Sequence, residues 1–111
     1  MSDNDNVTHA IHYTEKLNSM FDDEFTIFHT GSKLHSLLSI LELDNIKGED
    51  LQNLVLQCCR KFLLKLNCLN EKLDIIDRNQ VTRLSSTLFL VHKYLNECGE
   101  NEGFMRYYLR L

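Results

Sequence analysis

The stretch from Gly48 to Ile76 constrains this chain most, because its apolar residues repeat on a single period. Leu51, Leu54, Val55, Cys58, Phe62, Leu66, Leu69, Leu73 and Ile76 recur at spacings of three and four. That is the spacing of one face of an α-helix, sustained for about seven turns. A second apolar row, Leu56, Cys59 and Leu63, lies beside the first and widens the face. At 1.5 Å per residue such a helix is roughly 40 Å long, about the width of a small domain. The remaining segments are shorter, and the pattern predicts that they pack around it.

The glycines divide those segments. Gly31, Gly48, Gly99 and Gly103 each fall between periodic stretches, and the chain has no proline. A polar tail is expected over residues 1–6. Val7, Ala10, Ile11, Thr14, Leu17 and Phe21 give a first helix over 7–21, closed by Asp22-Asp23-Glu24, whose charge opposes the dipole at a helix C-terminus. Phe25 to His29 reads as a packed loop or short turn. Thr30-Gly31-Ser32 reads as a stop followed by a cap. The next helix covers 33–43, with Leu34, Leu37, Leu38 and Leu41 on one face and Ile40 and Leu43 widening it. Glu49 and Asp50 place negative charge where the dipole at the start of the long helix, 49–76, favours it. Asn67, Cys68 and Asn70 lower helix propensity near its far end. Asp77-Arg78-Asn79-Gln80 has the form of a capping box and opens a helix over 78–98, which stops at Gly99. Phe104, Tyr107, Tyr108 and Leu111 suggest a fifth helix over 103–111. The expectation is an all-α bundle of about five helices around one long central amphipathic helix, with residues 7–111 as a single domain.

Several function classes find little support. There is no Gly-rich phosphate loop, GxSxG, HExxH or EF-hand spacing. Cys58, Cys59 and Cys68 share one helix and no CxxC pair exists, so zinc-knuckle and thioredoxin-type motifs are not indicated. The thiols read instead as small buried hydrophobes kept reduced. His9 and His12 stand three apart on one helix, and two ligands do not make a metal site. Asn6-Val7-Thr8 matches a glycosylation acceptor, but the polar, acidic start lacks the pattern of a signal peptide. No apolar run reaches the roughly 20 residues a membrane span needs. The expectation is an intracellular protein, cytoplasmic or nuclear, that is not an enzyme and has no cofactor, metal, membrane or small-molecule substrate.

Two features point to partners. Phe104, Met105, Tyr107, Tyr108 and Leu111 concentrate aromatic and apolar mass in eight residues beside Arg106 and Arg110, a composition enriched at interface cores. Arg60, Lys61, Lys65 and Lys72, followed by Arg78 and Arg83, form a basic side able to meet phosphates or an acidic partner. Charge is unevenly divided. Residues 1–50 hold three basic and ten acidic residues, a balance of −7, and residues 51–111 hold nine and six, a balance of +3. The reading these features favour is a non-catalytic protein–protein interaction subunit or adaptor, whose partner is another protein or a second copy; the alternative is a chromatin- or DNA-associated subunit using the basic face around residues 60–83.

The run from Ser32 to about Leu95 resembles a histone fold in outline. Leu34 to Leu43 corresponds to its first helix, Ile46-Lys47-Gly48-Glu49-Asp50-Leu51 to the loop opening the central helix, and Ile76-Asp77-Arg78-Asn79-Gln80-Val81 to the loop opening the third. The resemblance implies a partner histone-fold chain and DNA. The interval between those loops is about one turn short of that pattern, and the third helix is about twice too long. Leu37-Leu38, Gly48-Glu49-Asp50-Leu51 and Cys58 also resemble the first helices of a death-effector-like domain. Gly103-Phe104-Met105-Arg106 stands where that family carries an Arg-x-Asp-Leu signature. Neither resemblance is adopted as an identification.

Overall fold

The computed structural model describes residues 3–23, 27–69 and 78–99. They form four α-helices: α1 (Asp3–Asp22), α2 (Ile27–Leu43), α3 (Glu49–Leu69) and α4 (Arg78–Glu97). The expectation of an all-helical bundle holds. Its centre differs. At 21 residues α3 barely exceeds the 20 of α1 and of α4, so no single long helix organises the bundle. The hub is α2, which packs against all three other helices. The pairs α1–α3 and α2–α4 are the main layers, and α3 and α4 meet only slightly. Residues 70–77, the end of the expected long helix, and 103–111, the expected fifth, lie outside the described residues.

Why α2 is the hub follows from its sequence. Its inward residues Ile27, Thr30, Gly31, Leu34, Leu37, Leu38 and Leu41 are all buried, on a 3.6-residue period that turns apolar side chains toward neighbours on several sides. The helix starts at Ile27, so the stop read at Thr30-Gly31-Ser32 does not occur. Gly31 is interior, and a Cβ placed there would stand 3.1 Å from Phe62 Cε1 and 3.7 Å from Leu84 Cδ2. Helical glycine costs about 1 kcal/mol relative to alanine. Here its missing side chain lets α2 approach Phe62 of α3 and Leu84 of α4 at one crossing. The Thr87 hydroxyl on α4, buried, donates to the Gly31 carbonyl at 3.3 Å and to the Arg83 carbonyl at 3.1 Å.

The other helix ends obey local chemistry. α2 closes with Asn45 in the left-handed region, φ 50°. Ile46 N–H donates to the Leu41 carbonyl at 3.0 Å and Asn45 N–H to the Glu42 carbonyl at 3.3 Å, the paired bonds of a Schellman closure. The Gly48 carbonyl accepts from Gln52 N–H at 2.8 Å to open α3. Gly99, φ 83°, closes α4 and donates to the Asn96 carbonyl. α1 begins at Asp3, a turn before its apolar pattern does.

The α1–α3 layer is tied by apolar and polar contacts. Leu17 and Phe21 of α1 and Val55, Cys58 and Phe62 of α3 are buried. The Thr14 hydroxyl donates to the Ala10 carbonyl at 2.6 Å, and Cys58 Sγ donates to the Thr14 carbonyl at 3.6 Å. Among the described residues, no helix is long and apolar enough to cross a membrane.

Candidate functional site

The basic side divides between two uses. Lys61 Nζ sits 2.7 Å from Asp22 Oδ1 and donates to the Asn18 carbonyl at 3.4 Å. Lys65 Nζ donates to the Asp23 carbonyl at 3.4 Å and lies 5.8 Å from the centre of the Phe21 ring. Both lysines therefore serve the C-terminal end of α1, where exposed carbonyls and two aspartates gather negative charge. They offset what the sequence reads as an unfavourable helix ending. Arg60 is half-buried and Arg83 exposed. Arg78 opens α4, and its side chain lies outside the described residues, as does Lys72. Phe104, Met105, Tyr107, Tyr108 and Leu111 lie outside them too.

The helix proportions bear on the histone-fold outline. That fold needs a short helix, a long one and a short one. Here the three corresponding helices have 17, 21 and 20 residues.

Cys58 and Cys59 are buried on α3. Burial pushes Cys58 up to about 12, with Lys61 opposing the shift and Asp22 adding to it. Burial likewise pushes Cys59 well above the usual thiol range. A thiol so held is a poor nucleophile, since the thiolate is the reactive form. His9 and His12 are exposed on α1, and no group of three or more potential metal ligands gathers among the described residues.

Concavities on the described surface offer another candidate. One, of about 510 Å³, lies where the end of α2 and the start of α3 face the end of α4. Leu41, Leu51, Leu90, Tyr94 and Cys98 contribute to its lining, and the ion pair of Glu42 and Lys93 spans α2 and α4 beside them. Burial raises the Tyr94 hydroxyl, and the Cys98 thiol, a hydrogen-bond neighbour, raises it further.

A second, of about 330 Å³, runs between the first half of α1 and the end of α2. Ala10, Tyr13, Leu37, Ile40, Leu41 and Ile46 form its apolar wall, with Asn6, His9 and Asp44 completing the lining. The Tyr13 hydroxyl donates to the Lys33 carbonyl at 3.3 Å, which lays the ring along α2. Its partial burial raises the hydroxyl pKa. Ile40 is 49% exposed, Tyr13 39%, and Leu43, one turn beyond Ile40, 82%.

This strip is the feature that sequence reasoning placed wrongly. Ile40 and Leu43 read as extensions of a buried face, yet both face water, and Tyr13 lay off the apolar face of α1. Their periodicity was visible, but which side of α2 would lack a neighbour was not. Leu64 on α3 and Phe89 on α4 are also exposed, at 47% and 68%, and neither lines this groove; Phe89 stands among Ser85, Ser86 and His92, all exposed.

The described residues thus define four packed α-helices with an apolar groove on the α1–α2 side. Comparison of the chain with protein-family models, with curated proteins and with solved structures finds no match.

Proposed function

We propose that this protein is a non-catalytic helical interaction module, a subunit or adaptor of a larger intracellular assembly. The apolar strip of Tyr13, Ile40 and Leu43 beside the α1–α2 groove carries the reading. Among the described residues Leu34, Val55, Phe62, Leu63, Val91 and Leu95 form a fully buried core. A chain that buries those residues and leaves Tyr13, Ile40 and Leu43 in water at or near an apolar groove has a surface suited to a partner. The raised thiols argue against cysteine nucleophilic chemistry at Cys58 and Cys59. The alternative of a DNA-associated basic face has less support, because Lys61 and Lys65 are engaged with the end of α1.

The test is a photo-reactive amino acid placed singly at Ile40, Leu43 and Phe89 in the full chain expressed in its own cells. A discrete adduct from positions 40 and 43, absent from 89 and lost on Tyr13→Lys, is the expected result. Equal or no cross-linking at all three positions overturns the reading.

A further inference from the structure

We draw no further inference here: the strongest candidate, the apolar groove between α1 and α2 with Tyr13, Ile40 and Leu43 exposed at or near it, carries nothing beyond the interaction reading, because nothing in the structure shows what covers it.

Discussion

Gly31→Ala is the substitution that tests the packing argument most sharply, because two opposed effects of similar size meet there. In an exposed helix interior this change stabilises by about 1 kcal/mol, through the better helix propensity of alanine. At Gly31 the new Cβ would stand 3.1 Å from Phe62 Cε1, several tenths of an ångström inside ordinary contact. The Phe62 ring is fully buried and cannot swing into water. Overpacking of a closed core costs about 1–3 kcal/mol. The balance is a net loss of up to about 2 kcal/mol, and a domain of this size shifts by roughly 4 °C in Tm for each kcal/mol. Gly31→Val adds two more carbons at the crossing and should lose about 3 kcal/mol or more.

Urea titration followed by far-ultraviolet circular dichroism measures both variants, and a double-mutant cycle with Phe62→Leu identifies the cause. Shortening the ring removes the contacting Cε1, so Gly31→Ala in that background should be neutral or stabilising. The coupling expected between the two sites is about 1 kcal/mol. If Gly31→Ala alone raised stability by about 1 kcal/mol, the close approach of α2 to α3 would not be what the glycine serves. Zero coupling to Phe62 would locate the clash elsewhere.

Three further outcomes are expected. Because Cys58 titrates near 9 when unfolded and is pushed up to about 12 in the fold, the unfolded chain releases that proton first. The contribution is therefore complete below pH 9 and lost as pH rises through 12. Urea midpoints at about pH 8 and about pH 10.5 should show the fall, and Cys58→Ala should reduce its slope. Gly99→Ala forces a side chain into φ 83° and should cost about 1 kcal/mol, whereas Asn45→Gly at φ 50° should be neutral or gain a few tenths; thermal melts distinguish the two. Asp22→Asn should cost less than about 1 kcal/mol and progressively less with added salt, since the pair with Lys61 is partly solvated. A larger loss, insensitive to salt, would mean that the contact is more than a screened ion pair.

What could be read from the sequence was what local chemistry decides. The helix over 78–98 matches α4 to within one residue, and Gly48 and Gly99 bound helices as expected, because caps depend on residues a few positions away. The role of Gly31 was hidden because its reason lies in Phe62 and Leu84, 31 and 53 positions further along. A glycine between two apolar stretches reads as a break unless the residue it must admit is known. The lysines were hidden in the same way. Lys61 and Lys65 lie on the polar side of an amphipathic pattern, and nothing local says that the end of α1, some 40 positions earlier, comes to meet them.

The same limit explains why the groove had to come from the structure, and it fixes how the groove should be probed. Because α2 is the hub, its three contacted sides are committed to the core, and the strip at Ile40 and Leu43 is the apolar side left over. Leu37 and Leu41, one turn from Ile40 or beside it, serve core and groove at once. Truncating either removes buried area and costs about 2–5 kcal/mol of stability, so lost binding there would be ambiguous. Ile40 and Leu43 are largely in water and separate the two effects: a charge at either should leave the fold within about 0.5 kcal/mol and act on binding alone. A partner bound only to the folded state would also stabilise α2 itself, by about 2.7 kcal/mol at a hundredfold excess over Kd. For a chain this small that is a large share of total stability, so a rise in melting temperature on adding the partner, abolished by Ile40→Lys, reports the groove and the hub in one experiment.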